Sequence, residues 1–300
     1  MCEPWSFPRP RTRSGGTGCS STLVSVRRGT IARYGNSLLV NDLYQTNRFE
    51  VDLMSHWVAP NSSGLQPRLA ENDVHVWCAD LDLEPPALER LAVHLSSEEK
   101  VRAARFVSAT DRNRFTVARA ILRELLGGYL QLPPANICIE AASHGKPALP
   151  NAPGVPDLRF NLSHSHGLAL YAFVLQREIG IDVEKIRPEF VTEKIGERFF
   201  SARERDGLRR LPSELHSEAF FLCWTRKEAY IKARGEGLHI PLDSFDVTLT
   251  PNEAAVLTST DSDRWKLHGF HPRPGFVGAL VVEAPESQLH FWEWSLPRPT

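Results

Sequence analysis

Apolar and polar side chains alternate along residues 179–185, where Ile181 and Val183 are interleaved with Asp182 and Glu184. Because successive side chains of a β-strand point to opposite faces, this pattern predicts a strand with both carboxylates on one face and aliphatic side chains on the other. Just before it, residues 168–175 form a continuous apolar run with the length of a buried strand. The pattern therefore predicts an acidic strand that follows a buried one.

The first half of the chain has one further strand pattern, over residues 74–79, and helical periodicity after it. The segment Ser96–Glu99 has the sequence of a capping box, in which the two side chains satisfy exposed backbone donors at a helix start. A longer helix is predicted to begin at Thr110 and to end at the glycine pair Gly127-Gly128.

Helical periodicity also follows the acidic strand. A capping box at Ser201–Glu204 predicts a short helix, and residues 213–233 predict a long helix that a following glycine ends. Glu228 and Lys232 lie one turn apart in this helix, so both side chains are predicted to share one face. Alternating patterns between residues 242 and 293 predict a strand meander.

The order of strand, helices and further strands occurs in both halves of the chain. It predicts two related α/β lobes, which we place at residues 73–177 and 178–300. Residues 1–72 have little periodicity and several turn-forming clusters, so they predict an N-terminal extension that is poorly ordered or accessory. Met54 is the second methionine of the chain, and a start codon assigned too far upstream is an alternative explanation for the residues before it.

Composition limits the classes to which the protein can belong. A formal net charge of -1 over 300 residues argues against bulk attraction to nucleic acid or to an anionic membrane. No apolar run reaches the roughly 18 residues that a membrane-spanning helix needs. The five cysteines are scattered, without a Cys-x-x-Cys pair, which favours reduced thiols and a cytoplasmic protein.

Three acids and one lysine, Asp182, Glu184, Glu228 and Lys232, are the leading candidates for chemistry. One interpretation is surface acids beside an ordinary helical ion pair, which contributes on the order of 0.3–0.5 kcal/mol. The other is a Mg²⁺ site, because Mg²⁺ takes oxygen ligands from a few carboxylates while substrate phosphates complete its octahedron. Crowded carboxylates repel one another, and a bound cation relieves that repulsion.

Groups suited to phosphate occur elsewhere in the sequence. The densest run of cations, within residues 100–123, predicts a solvated helix surface for most of its members. Arg102 and Arg114 are its candidates for phosphate binding, because a guanidinium group donates two parallel hydrogen bonds. Lys146 lies between a glycine and a proline, which predicts a restrained turn that presents its ammonium group.

A polar segment that includes Ser163, His164 and His166 stands at the entrance to the buried strand. The spacing of the two histidines can bind zinc, but no third ligand follows at a recognisable spacing. Ser163 and His164 are neighbours, so on an extended chain they point apart, which argues against a nucleophile and its base. Ligand binding is the favoured role.

Taken together, these segments resemble the 4'-phosphopantetheinyl transferases of the Sfp type, which move phosphopantetheine from coenzyme A onto a serine of a carrier protein. The resemblance covers residues 73–285 and leaves residues 1–72 outside. Its motifs, in the family's order, are Gly145-Lys146-Pro147, Phe160-Asn161-Leu162-Ser163-His164-Ser165, Gly180-Ile181-Asp182-Val183-Glu184, Phe199-Phe200-Ser201, and Trp224-Thr225-Arg226-Lys227-Glu228-Ala229 with Lys232.

The resemblance implies an α+β fold of two pseudo-symmetric α/β subdomains, with coenzyme A as co-substrate in the cleft between them. It implies that Asp182, Glu184 and Glu228 bind Mg²⁺. The implied catalytic residues are Asp182, Glu228 as general base toward the carrier serine, and Lys232 as the group that stabilises the departing adenosine 3',5'-bisphosphate. The implied partners of this monomer are coenzyme A and apo acyl, peptidyl or aryl carrier proteins, without nucleic acid or membrane.

The family's contacts with coenzyme A match five residues of this sequence: Arg102, Arg114, Lys146, Ser163 and His164. One departure is that a further family lysine falls on Glu99, and Lys100 beside it is the candidate substitute. Gly180 is expected to let coenzyme A approach the backbone, since it has no side chain.

Two other functions compete with this interpretation. A Mg²⁺-dependent nucleotide hydrolase would need the three acids and Lys232 but not the other motifs. A non-catalytic module that binds coenzyme A or a carrier protein would be expected to lack a metal-binding acid or the lysine, and all four are present. The sequence does not specify which carrier protein is served.

Overall fold

Two larger β-sheets, each covered by a long helix, form the centre of the part of the chain that the structure describes, and β2-β3 and β7-β8 form two further two-stranded sheets. The structure is a computed structural model and describes residues 57–59, 68–142, 145–151, 156–190 and 193–296. The strands are β1 (Asp73–Asp80), β2 (Glu140–Ala141), β3 (Pro147–Ala148), β4 (Leu158–Ser165), β5 (Leu168–Leu175), β6 (Ile179–Lys185), β7 (Asp246–Val247), β8 (Leu257–Thr258), β9 (Trp265–Phe270), β10 (Phe276–Glu283) and β11 (Gln288–Glu293). The helices are α1 (Pro85–Ala92), α2 (Ser97–Ala104), α3 (Ala109–Leu130), α4 (Glu193–Phe199), α5 (Ala202–Arg210) and α6 (His216–Arg234).

The first sheet has the strand order β11-β1-β5-β4. β5 pairs antiparallel with β1 and β4, whereas β11 pairs parallel with β1. One face of this sheet packs on α3, where Trp77, Leu122 and Tyr171 belong to one buried cluster. The Tyr171 hydroxyl donates a 3.0 Å hydrogen bond to the Ala118 carbonyl and so fixes the helix to the strand.

The second sheet has the order β6-β10-β9, with antiparallel pairing throughout, and α6 packs on β6 and β10. Its opposite face shares a core with the first sheet, in which Ala172 and Val174 of β5 join Ile181 and Val183 of β6. Alternate residues of β5 thus face α3 and the second sheet, which explains why this strand is apolar on both faces. The mixture of helices and sheets confirms the predicted α+β class.

Both predicted capping boxes are present. Ser96 and Glu99 exchange hydrogen bonds at the start of α2, and Ser201 and Glu204 do so at the start of α5. The side chain of Ser108 accepts a hydrogen bond from the Asp111 amide and caps α3. Helices α2, α3 and α5 therefore begin where a side chain satisfies exposed amides.

The predicted end of α3 at Gly127-Gly128 is wrong, because the helix continues to Leu130. A Cβ at Gly127 would lie 2.6 Å from the Leu132 carbonyl oxygen, so this glycine permits the chain to fold back closely over the helix. The left-handed residue that ends α3 is Gln131, with φ 56°. Gly127 thus lets the segment after the helix pack closely on the helix. In the sequence alone, such a glycine cannot be distinguished from one that ends a helix.

At the C-terminal end of α6, the prediction from the sequence is confirmed. Gly235 adopts a left-handed conformation with φ 68°, and its amide bonds to the Ile231 carbonyl. The start differs, because residues 213–215 form a separate 3-10 turn before the α-helix begins at His216. The predicted strands are present as β9, β10 and β11, but the predicted meander is wrong for the last of them, because β11 pairs with β1 in the first sheet and only β9 and β10 are neighbours. The strand predicted before them, β7, is only two residues long.

Of the predicted N-terminal extension, the structure describes residues 57–59 and 68–72, and the hypothesis about Met54 lies outside the described residues. Val58 forms a parallel bridge with Trp292, at the outer edge of β11. Within the described part of the chain, no helix is both long and apolar enough to cross a membrane. The described cysteines, Cys78, Cys138 and Cys223, are free thiols.

Candidate active site

The acidic face of β6 forms the floor of the candidate site. Ile181 and Val183 are buried in the core between the sheets, and Asp182 and Glu184 project from the opposite face. The predicted alternation of this strand is therefore confirmed. Asp182 is only 4% exposed, so its carboxylate is largely removed from water.

Helix α6 brings Glu228 and Lys232 to this floor. Lys232 Nζ donates to Asp182 Oδ1 at 2.6 Å and to the Ile181 carbonyl at 3.3 Å. Glu228 lies near enough to Asp182 for the negative charge of Asp182 to act on its ionisation. The two elements that the sequence singled out thus meet, with their charged side chains buried between them.

Gly180 makes this approach of the helix possible. A Cβ at Gly180 would lie 2.1 Å from the Ala229 carbonyl oxygen and 2.3 Å from the Ala233 nitrogen. The expectation that Gly180 leaves room for coenzyme A is wrong, because the α6 backbone fills that space. Because Gly180 has no side chain, α6 can pack close enough to β6 for Lys232 to contact Asp182.

Strand β4 connects the first sheet to the acidic strand through every second side chain. The Ile181 amide donates to Asn161 Oδ1 at 2.9 Å, and the Ser163 hydroxyl donates to Asp182 Oδ1 at 2.7 Å. Ser165 donates to Glu184 Oε2 at 2.6 Å. The sequence identified Ser163 but missed Asn161 and Ser165, although their period-two spacing with Ser163 was the available signal.

Burial shifts the ionisation of the two glutamates. Removal from water and the nearby Asp182 carboxylate raise the pKa of Glu184 to about 8. Burial also raises the pKa of Glu228 to about 7, with Lys232 opposing the shift and Asp182 adding to it. Three carboxylates therefore share a buried space with one ammonium group, which favours binding of an additional cation.

The donor chemistry fits a hard divalent cation. Asp182 Oδ2 is buried and has no hydrogen-bond partner among the described residues, and all three acids offer only oxygen ligands. In this structure the oxygens of the three acids do not all lie close enough together to ligate one ion. Among the described residues, the group with three ligand atoms within 4.8 Å of one another is another one, which does not include these acids. Lys232 holds the other Asp182 oxygen, which is consistent with acids that repel one another.

The structure does not bring the other predicted phosphate ligands into contact with these acids. Lys146 Nζ donates to Glu178 Oε2 at 3.1 Å and to the Ile179 carbonyl at 3.0 Å. Arg102 is exposed, and its guanidinium lies over the Phe115 ring at 5.2 Å. His164 is exposed and points away from Ser163, as expected for neighbours on a strand.

Arg114 lies near the turn between β4 and β5, where it forms two hydrogen bonds with Asp82, of 2.6 and 2.7 Å. The pKa of His166 in this turn is lowered by burial and by three cations, Arg187, Lys185 and Arg114. Positive charge therefore gathers at the end of β6 that carries Glu184. Arg187 and Lys185 were missed by the sequence analysis, although they directly follow the acidic motif.

Glu99, which the family resemblance aligns with a lysine, has a structural role. Its carboxylate accepts hydrogen bonds from Arg119 and Arg123, at 2.7 and 2.6 Å, and so joins α2 to α3. Burial opposes its ionisation, but the two arginines keep its pKa below the ordinary value. Lys100 beside it is exposed. Two arginines of the basic run therefore bind Glu99 within the fold and stabilise the contact between the two helices.

Lys227, which the sequence placed in a motif without a role, is a buried anchor for α6. It is 0% exposed and donates to Glu204 Oε1 at 2.8 Å and to the carbonyls of Leu242 and Phe245. Glu204 also accepts the Val247 amide, so this ion pair joins α5, α6 and β7. The adjacent Glu228 is thereby held on a fixed helix.

Comparisons with known proteins identify the family of the chain. Residues 178–281 match the 4'-phosphopantetheinyl transferase superfamily, and residues 84–175 match the N-terminal family of 4'-phosphopantetheinyl transferases. The chain is 40% identical to the 4'-phosphopantetheinyl transferase HetI of Nostoc sp. over 242 residues, which cover 81% of this chain and 100% of the relative. It is 31% identical to the 4'-phosphopantetheinyl transferase Sfp of Bacillus subtilis, over 69% of this chain and 90% of the relative.

A solved structure of a holo-(acyl-carrier-protein) synthase from Bacillus anthracis, in complex with CoA (3',5'-ADP), is 25% identical. The match covers 35% of this chain and 94% of that protein, with a TM-score of 0.31. The identity and coverage of the two full-length relatives establish the family. The chain belongs to the 4'-phosphopantetheinyl transferase superfamily and is an enzyme of that class.

Proposed function

We propose that the enzyme transfers 4'-phosphopantetheine from coenzyme A to a serine of an apo carrier protein and releases adenosine 3',5'-bisphosphate. The observation that carries this proposal is the contact between Lys232 and Asp182, beside the buried Glu228. It supports the proposal because an ammonium group, a candidate metal-binding acid and a candidate base are buried close together. The family assignment adds the class of reaction.

The reaction forms one bond and breaks one. The carrier serine oxygen attacks the β-phosphorus of the coenzyme A pyrophosphate, and the bond from that phosphorus to the oxygen of the departing adenosine bisphosphate breaks. The serine proton passes to Glu228, directly or through water. A pKa of about 7 suits this residue to general base catalysis near neutral pH, which typically contributes about a hundred- to ten-thousand-fold in rate.

Lys232 would stabilise the negative charge that develops on the leaving phosphate. Its hydrogen bonds to Asp182 and Ser163 hold the ammonium group in one position, so the group needs to move little when the charge develops. Asp182, Glu184 and Glu228 would hold Mg²⁺, which when bound supplies charge neutralisation at the phosphoryl oxygens. The buried, unpartnered Asp182 Oδ2 supports this assignment.

The positive charge of Arg187, Lys185 and Arg114 near the turn after β4 suits the phosphates of coenzyme A. We include Arg114 among the coenzyme A contacts on this ground, and Ser163 because its hydroxyl lies against Asp182 beside the acids. Arg102, Lys146 and His164 stay predictions from the family resemblance. The monomeric state, the cytoplasmic location and the absence of nucleic-acid binding also stay predictions.

The test is transfer to a panel of apo carrier proteins from fatty-acid, polyketide and nonribosomal-peptide systems, measured as the phosphopantetheine increment in intact mass. We expect at least one carrier to be modified, and EDTA to stop the reaction. Asp182→Ala should abolish transfer, whereas Asp206→Ala, on the exposed face of α5, should not.

The outcomes separate the alternatives. An unchanged rate with Asp182→Ala would discard the metal assignment. Cleavage of coenzyme A in the absence of any carrier, without modification of a carrier, would favour the nucleotide hydrolase. Binding of coenzyme A without either reaction would indicate the non-catalytic module.

A further inference from the structure

A second cluster of possible metal ligands lies on the first sheet, on strands β1 and β11. Asp73 and His75 are two residues apart on β1 and therefore share a face, and His290 of β11 is the register partner of His75. One ligand atom from each of the three residues lies within 4.8 Å of the other two. Distant parts of the sequence thus supply two imidazoles and one carboxylate to one place.

One distance within this cluster matches that between two ligand atoms of a tetrahedral metal site. His290 Nε2 lies 3.3 Å from Asp73 Oδ1. In a tetrahedral zinc site with bonds of about 2.0–2.1 Å, two ligand atoms lie roughly 3.3 Å apart. The rings of His75 and His290 are 5.3 Å apart at an angle of 82°, so their edges, not their faces, can meet at a common point.

Burial and hydrogen bonding leave the cluster incomplete without an ion. His290 Nε2 is buried and makes no hydrogen bond with any residue that the structure describes. His75 is only 1% exposed, so it also has little access to water. A buried polar atom without a hydrogen bond is unfavourable, and the nearest polar contact of His290 Nε2 is Asp73 Oδ1 at 3.3 Å. A metal ion between these two atoms would bind both.

Tyr129 orients His75 for this role. Its hydroxyl oxygen lies 2.8 Å from His75 Nδ1 and also accepts a 2.8 Å hydrogen bond from Trp77 Nε1. With Nδ1 occupied, Nε2 is the ring nitrogen of His75 that remains for a metal. Metal-binding histidines commonly have their second nitrogen held by such a partner.

We propose that Asp73, His75 and His290 bind one divalent transition-metal ion, for which Zn²⁺ is the best match. Two imidazole nitrogens and one carboxylate oxygen suit zinc, with water as a fourth ligand, whereas Mg²⁺ prefers oxygen ligands alone. The ion would join β11 to β1 and is separate from the acidic centre on β6. The His290 side chain is 37% exposed, which gives an ion a path from solvent.

The test uses the full-length, untagged protein after removal of metal with EDTA and dialysis. Binding of Zn²⁺ is measured by calorimetry, and thermal unfolding is followed with and without Zn²⁺, both in excess Mg²⁺. We expect one Zn²⁺ per chain and a rise of the unfolding temperature, because an ion that binds only the folded state stabilises it. Co²⁺ in place of Zn²⁺ should give visible absorption bands.

His290→Gln and Asp73→Asn should each lower the affinity for Zn²⁺ at least about tenfold and remove both the thermal shift and the Co²⁺ bands. The matched control is His271→Gln, because His271 also contacts an acid, Glu218 at 3.1 Å, but belongs to no such cluster within the described residues. Circular dichroism of the metal-free variants establishes that they fold. Zn²⁺ binding that survives in both folded variants, or no binding by the unchanged protein, would overturn the proposal.

Discussion

Lys232 Nζ lies 2.6 Å from Asp182 Oδ1, and both side chains are buried between α6 and β6. In this arrangement, the ammonium group neutralises one carboxylate of a crowded acidic site. The same group is the candidate for stabilising the leaving phosphate. We therefore expect both the stability of the fold and catalysis to depend on this one side chain.

Replacement of Lys232 by methionine should reduce both properties. Loss of one member of a buried ion pair costs about 3–5 kcal/mol, because the other charge remains buried without compensation. Loss of leaving-group stabilisation should lower the transfer rate by about a hundredfold or more. Urea unfolding and the intact-mass assay measure the two effects. Lys100→Met, at an exposed position of α2, is the control, and an unchanged transfer rate for Lys232→Met would contradict the assigned role.

Glu228→Gln should separate activity from stability. Without a base the transfer rate should fall by about a hundred- to ten-thousand-fold. Above neutral pH and without metal, the free energy of unfolding of the variant should be higher than that of the unchanged protein, because the amide removes a buried charge that the fold disfavours. Glu253→Gln, at an exposed position, should change neither quantity. A destabilised Glu228→Gln protein would argue against the raised pKa.

The unfolding free energy of the metal-free protein should fall as pH rises from about 5 to about 8. Glu184 and Glu228 have folded pKa values of about 8 and about 7, above the ordinary value for glutamate. Over this range the two glutamates keep protons in the folded state that they have lost in the unfolded state. Their contribution to the free energy of unfolding is therefore full at low pH and is lost as the pH passes through the folded pKa values. Each group contributes at most about 1.4 kcal/mol per pH unit.

The Glu184→Gln, Glu228→Gln double variant isolates this effect from other titrating groups. Its unfolding free energy, measured in urea with EDTA, should change less with pH than that of the unchanged protein. Equal slopes for the two proteins would show that these carboxyls do not hold protons in the fold.

Gly180→Ala should disrupt the site without changing any charged residue. The added methyl group would meet the α6 backbone at 2.1 and 2.3 Å, so the helix must move. Overpacking of this kind typically costs about 1–3 kcal/mol, and displacement of Glu228 and Lys232 should reduce the transfer rate. Gly196→Ala in α4 is the matched control, because its nearest neighbour lies 3.7 Å away and alanine favours helix. Equal activity of both variants would contradict the close fit of α6.

Local patterns in the sequence were sufficient for β6, the two capping boxes and the C-terminal end of α6, because each depends on residues close in the chain. The meeting of Asp182 with Lys232 required the family resemblance, since the residues are distant in sequence. Glycine gave the least reliable signal. Gly127 and Gly180 serve close packing against backbone, which depends on elements that no local pattern identifies.

Side-chain partners were also beyond local patterns. From the sequence, Glu99 stood where a phosphate-binding lysine was expected. Its two arginine partners belong to another helix, so its structural role was not visible in the local sequence. Ser165 and Arg187 became candidates only when β4 was found beside β6. The sequence identified which residue types carry chemistry, and the tertiary fold determined which of them are neighbours.

The parallel pairing of β11 with β1 has a consequence for the order in which the protein can form during synthesis. β11 is the last strand of the described chain, yet it completes the sheet that begins with β1. That sheet cannot close until β11 has left the ribosome, long after β1. Until then the outer edge of β1 lacks its partner, and unpaired strand edges promote association between chains. Growing chains are therefore exposed to aggregation in the interval between the emergence of β1 and that of β11.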